Sequence, residues 1–154
     1  MATFKEIART FALGFSVGYF DKHDLITWAD NIIATQPSRD SSIVDLSLCT
    51  QLHPLDVLNI LDRVQGPETL GHAKELLVGL LARDLKNGSM DEHRLAFILN
   101  RIGDIPDDGH WPDMLENARG DEHTFRAIAD RIRRHVMSFE PFADEWKQSV
   151  QQSA

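Results

Sequence analysis

Apolar residues recur at three- and four-residue spacing along nearly the whole chain, and this period limits the fold more than any other feature. Phe4, Ile7, Phe11 and Phe15 share one face of a first helix. Leu25, Trp28, Ala29, Ile32 and Ile33 repeat the pattern in a second, with Asp21 as its expected N-cap. Leu95, Ile98, Leu99 and Ile102 do so again, as do Phe125, Ile128, Ala129, Ile132 and Val136. No window alternates apolar and polar residues with the β-branched enrichment of a strand. The pattern predicts an all-α protein of seven or eight antiparallel helices packed as α-hairpins, either an orthogonal bundle or a short solenoid-like stack.

The residues between the stripes divide them into elements. Gln36-Pro37-Ser38 ends the second helix, because proline disfavours helical geometry in the residue before it. A short helix is expected over Ser41–Cys49, with Ile43, Leu46 and either Leu48 or Cys49 inward. Pro54 suits the first turn of a fourth helix, whose expected face is Leu55, Leu58, Leu61 and Val64. Gly66 stops it, and Pro67 is expected to open the fifth and longest helix, with Leu70, Ala73, Leu77, Leu80 and Leu81 on its face. Leu76, Val78 and Leu85 widen that face into the stripe of a central, buried helix. Asn87-Gly88 is a stop, and Ser89 with Glu92 makes a capping box for the sixth. Phe139, Phe142 and Trp146 around Pro141 predict a last short helix, with the chain fraying after Lys147. One domain over residues 1–150, with a frayed tail at 151–154, is the expected organisation.

At 42% apolar and 26% charged, the chain can bury a real core. No run approaches the roughly 20 apolar residues of a membrane span, and the first residues do not resemble a secretion signal. Cys49 is the lone cysteine, so no intrachain disulfide or cysteine cage for zinc can form, and a reducing cytoplasm is the expected compartment.

Catalytic and cofactor chemistry find little support. No two histidines stand three or four apart, the spacing at which a helix presents two ligands to one metal. Asp21-x-His23, Asp91-x-His93 and Asp121-x-His123 place their members on different sides of a helix. Their acids are better explained as first-turn complements to the helix dipole. No glycine-rich phosphate loop and no Gly-x-Ser-x-Gly elbow occur. Arg126, Arg131, Arg133 and Arg134 form the densest basic run, but the net charge of −8 opposes nucleic-acid binding. The expectation is a protein without enzymatic activity, cofactor or metal, and without nucleic-acid or membrane partners.

The charge is unevenly placed. Residues 104–122 hold seven acids against Arg119 alone, a net −6, in a segment interrupted by Pro106 and Pro112. Scaffolds often carry function on such connections, where acids steer a partner and an aromatic anchors it. Asp104, Asp107, Asp108, Trp111, Asp113 and Glu116 are the candidate partner-binding residues.

The run Gly18 to Ile33, with its Tyr19-Phe20 pair, capped start and Leu25-Ile26-Thr27-Trp28-Ala29-Asp30, resembles the opening of small helical immunity proteins of bacterial polymorphic-toxin and contact-dependent inhibition systems. Asp45-Leu46-Ser47-Leu48, followed by a leucine-rich helix, extends the likeness over roughly residues 10–105. The acidic 104–122 segment departs from that pattern. The resemblance implies a protein that binds and neutralises a cognate toxin. A helical adaptor that docks another protein's helix in an exposed groove is the alternative.

Overall fold

A computed structural model describes residues 1–36, 40–103, 129–130, 132–134 and 136–152. Every regular element among them is helical. These are α1 (Phe4–Ser16), α2 (Lys22–Thr35), α3 (Ser41–Ser47), a 3-10 turn (Cys49–Gln51), α4 (Pro54–Arg63), α5 (His72–Lys86), α6 (Glu92–Gly103) and α7 (Val136–Gln152). Residues 129, 130 and 132–134 are helical as well. The all-α class is therefore correct. The chain groups into two units, one of residues 1–69 with the chain from Trp146 onward, the other of residues 70–145.

In the first unit, α2 packs on α3, and α4 packs on both α1 and α3. Asp21 caps α2 as expected, in a reciprocal box with Asp24, and Thr3 and Glu6 do the same for α1. The Asp24 backbone N–H is the chief cause holding the Asp21 carboxyl below its usual range. Phe11, Phe20, Trp28 and Trp146 form an aromatic cluster with ring centroids 4.8–5.5 Å apart. Phe20 reaches it because Gly14 has no Cβ, since one would lie 2.3 Å from the Phe20 ring. The Trp28 side chain is buried, and its indole N–H has no acceptor among the described residues. Such a group costs about 1–3 kcal/mol, which the apolar contact of the ring must offset.

The phase of α4 differs from expectation. Val57, Ile60, Leu61 and Val64 are buried, while Leu55 is exposed and Leu58 half-buried. Pro54 does sit in the first turn, and His53 caps the helix, its Nδ1 accepting from the Leu55 N–H at 3.1 Å.

Residues 65–69 do not open a helix, although Pro67 suits that role. They run as an extended strap along α1. The Thr3 hydroxyl donates to the Pro67 carbonyl at 2.6 Å, and Glu6 Oε2 accepts from the Thr69 N–H at 2.9 Å. Glu6 Oε1 accepts from the Thr3 N–H, also at 2.9 Å, so one buried carboxylate serves both the helix cap and the strap. Arg9 grips Glu68 bidentately at 2.7 and 3.0 Å, and the Lys5 ammonium donates to the Asp62 carbonyl. Asp40 holds the near end, with Oδ1 accepting from Ser42 N–H to cap α3 and Oδ2 from Gln65 N–H.

In the second unit, Gly71 takes φ +76° and sets the start of α5 at His72. The Asn87-Gly88 stop is as expected. Gly88 takes φ +78°, and the Ser89 N–H donates back to the Asp84 carbonyl at 2.9 Å. Asp91, not Ser89, caps α6, accepting from the Arg94 N–H at 2.7 Å. The broad stripe of α5 is buried at Ala73, Lys74, Leu76, Leu77, Val78, Leu81 and Ala82, whereas Leu70 is exposed.

Up to Glu145, α7 lies against α5. A Cβ on Gly79 would lie 2.7 Å from Phe142 Cβ, 2.8 Å from Ala143 N and 3.0 Å from the Phe139 carbonyl. This contact is backbone on backbone. Around it His72 meets Glu145, Arg83 meets Asp144 and Lys86 meets Glu140. The pairings spread over residues 72–86 of α5 but only 140–145 of α7, so the two helices cross at Gly79 rather than lie along each other. Pro141 does not break α7, which passes through it and continues to Gln152. The Met137 backbone carbonyl, which the missing Pro141 N–H would have met, belongs to a residue 70% exposed, where water can satisfy it. The expected fraying after Lys147 is absent, because Ser149 is buried and its Oγ accepts from the Ala2 N–H at 2.9 Å.

Candidate partner-binding surfaces

Asp104, Asp107, Asp108, Trp111, Asp113 and Glu116 lie outside the described residues. The described histidines and the cysteine show what other chemistry is open. Cys49 is fully buried; burial pushes its thiol up, against a smaller opposite pull from Lys22, so it is a poor nucleophile. His53 is spent on capping α4. The Nε2 of His72 lies 2.7 Å from Glu145, its Nδ1 lies 3.7 Å from Glu75, and its ring meets Phe142 edge-on. Both ring nitrogens therefore face carboxylates of the same unit, an arrangement that ties α5 to α7. Among the described residues no three His, Cys, Asp or Glu side chains gather as metal ligands, and no helix is long and apolar enough to cross a membrane.

The feature that sequence reasoning missed lies where α3, the 3-10 turn and α4 meet. A groove of about 550 Å³ is lined there by Asp45, Leu48, Leu52, Asp56, Asn59, Ile60 and Arg63. Local structure explains it. The chain turns at Leu48 (φ −104°, ψ 15°), and the inward position passes to Cys49. Leu48 is thereby left 71% exposed at the groove wall. Packing of α4 on α1 and α3 turns Val57, Ile60 and Leu61 inward, so Asp56, Asn59 and Arg63 come to one outward face at three- and four-residue spacing. Ile60, buried, and Leu52, half-buried, supply the apolar floor. Arg63 lies 3.8 Å from Asp45, both more than half exposed, a pair worth little in water. Asp56 has no side-chain partner among the described residues. The spacing of Asp56, Asn59 and Arg63 was visible in the sequence; the outward turn of Leu48 was not.

Most described cations are engaged within their own unit. Arg9 is paired with Glu68, Arg83 with Asp144, Lys86 with Glu140, Arg133 with Glu92 and Asp130, and Arg134 with Asp130. The Arg133 side-chain bond is the chief cause holding the Asp130 carboxyl low. The Lys22 ammonium donates to the carbonyls of Thr50 and Leu52 at 3.1 and 2.6 Å, and Lys74 is buried.

Compared with family models, with curated proteins and with solved structures, the chain matches none of them.

Proposed function

We propose that the chain is an immunity protein that binds a cognate, basic toxin domain in the cytoplasm and neutralises it, without catalysis of its own. The observation that carries this is where charge is left over. Five described cations, Arg9, Arg83, Lys86, Arg133 and Arg134, already stand beside acids of their own unit, while residues 104–122 hold seven acids against one arginine. The net −8 is therefore available to a partner, and a field of that sign raises the on-rate of a basic protein and rejects polyanions. Asp104, Asp107, Asp108, Trp111, Asp113 and Glu116 are the proposed contact residues.

The test is affinity capture from the native host, followed by binding of the captured partner to a variant with the four aspartates changed to Asn and Glu116→Gln. A basic toxin should be recovered, and the variant should bind it more weakly, with a larger loss at low salt than at high. A large toxin gene immediately upstream agrees with the proposal. Recovery of a housekeeping complex, or a gene isolated in a metabolic operon, overturns it. A second reading, a helical adaptor that docks a partner's helix, is favoured by the groove between α3 and α4.

A further inference from the structure

The groove between α3 and α4 points to a more specific occupant. We infer that it receives an amphipathic helix of a partner protein, with two or three large apolar side chains on the groove floor and Lys or Arg along its flank. This rests on the reading that the chain acts by binding a basic protein, but on different residues from the acidic segment.

Three observations select that occupant. The first is the walls. Asp45, Leu48, Asp56, Asn59 and Arg63 are all exposed, so the groove cannot enclose a small molecule, whose sites bury most of the ligand surface. An open trough suits an extended partner that carries its own backbone hydrogen bonds, which a helix does.

The second is the apolar content. Leu48, 71% exposed, lines the groove together with half-buried Leu52 and buried Ile60, so one large apolar side chain stands into solvent. The inward position at this turn belongs to Cys49, which leaves Leu48 at the surface. A partner side chain laid against Leu48 removes it from water, which is worth about tenfold in affinity or more.

The third is the charge. The lining has two carboxylates and one guanidinium, and that guanidinium is already 3.8 Å from Asp45. Asp56, in the first turn of α4 where it complements the helix dipole, has no side-chain partner among the described residues and gives the lining one carboxylate in excess. The remaining charge is negative, so a basic flank on the occupant complements it and an acidic flank is repelled. Asn59 offers an amide from the same face for a polar contact.

The probe is a synthetic amphipathic helix of about four turns, with leucines at three- and four-residue spacing and lysines beside them, added to the full chain and followed by NMR shifts. Shifts should map to residues 45–63, with saturable binding. Leu48→Glu should weaken it about tenfold or more, because it puts a charge on the apolar wall. Asp56→Asn should weaken it a few-fold at low salt and much less at high salt. Leu55→Glu is the control: that leucine is 64% exposed on the same helix and outside the groove lining, so binding should not change. Each substitution is at an exposed position, so the fold should survive, as far-ultraviolet circular dichroism will verify.

No saturable binding, shifts outside residues 45–63, an effect of Leu55→Glu equal to that of Leu48→Glu, or equal affinity for a glutamate-flanked version of the peptide would each overturn the inference. These outcomes are separable from failure of the immunity reading, which is decided by the captured partner and the 104–116 variant. An adaptor would pass the peptide test and return no toxin.

Discussion

In the first unit a buried carboxylate, Glu6, ties an extended strap to a helix. In the second a glycine, Gly79, brings two helices together until their backbones touch. The first solution uses directional polar bonds that must all be made, because a buried donor left alone costs more than the bond contributes. The second uses shape: the helices approach where no side chain intervenes, and ion pairs of modest worth sit around the contact. The difference predicts opposite sensitivities. The strap should fail when hydrogen-bond chemistry changes at constant volume, and the helix pair when volume changes at constant chemistry.

The largest effect is expected at Gly79→Ala. Alanine would raise helix propensity by about 1 kcal/mol, but its Cβ would meet backbone atoms of α7 that cannot step aside. We expect a net loss of about 3 kcal/mol, read by chemical denaturation, with hydrogen exchange accelerating first in residues 72–86. Gly14→Ala is the informative comparison, since its closest neighbours are atoms of the half-buried Phe20 ring, a side chain that can shift at the cost of its contacts with Phe11 and Trp146. If the two cost the same, the distinction between backbone and side-chain contact is wrong.

Glu6→Gln comes next. The replacement keeps size and shape but turns one oxygen into a donor that must face the N–H of either Thr3 or Thr69. A loss of about 2 kcal/mol is expected, with faster exchange of the Thr69 amide and little change in the second unit. A neutral result would mean that the strap is held by the Arg9–Glu68 pair instead.

Asp40→Asn should be smaller and dependent on pH. Burial acts to raise the Asp40 carboxyl, yet the N–H groups of Ser42 and Gln65 and the nearby Arg63 together hold it below its ordinary value. A folded-state value lower than the unfolded one means the contribution is present above the unfolded value and lost as pH falls through the folded one. The wild type should therefore exceed the variant by about 1 kcal/mol at neutral pH, and the gap should close below about pH 4. Denaturation curves at several pH values check this, and a gap that widens on acidification would refute it.

Much of the architecture was legible from the chain. The stripes of α1, α2 and α6 match their buried faces at Ile7 and Phe11, at Leu25, Trp28, Ala29 and Ile32, and at Leu95, Ile98, Leu99 and Ile102. The Asp21 cap, the Asn87-Gly88 stop and Pro54 in a first turn also follow local rules. Other expectations were overridden from a distance. Pro67 carries a helix-start signal, but Glu6, Thr3 and Arg9 claim residues 67–69 for a strap. Phe139, Phe142 and Trp146 around Pro141 predicted only a short last helix, but α7 runs from Val136 to Gln152, with Phe139, Phe142 and Ala143 packed closely on Gly79. The proposed acidic contact residues were named from charge alone, whereas the groove could not be named so, because the phase of α4 and the outward turn of Leu48 depend on neighbours.

The physical reason is one of range. Helical period, caps and glycine stops are interactions within a few residues, so the order of residues is enough to specify them. Which face turns inward when two are apolar, whether a proline ends a helix, and where a leucine is left in solvent depend on groups far apart in the chain. Leu48 and Cys49 make the point together. Both suit a helical core, and the packing of α3 against its neighbours buries one and leaves the other as the wall of a groove.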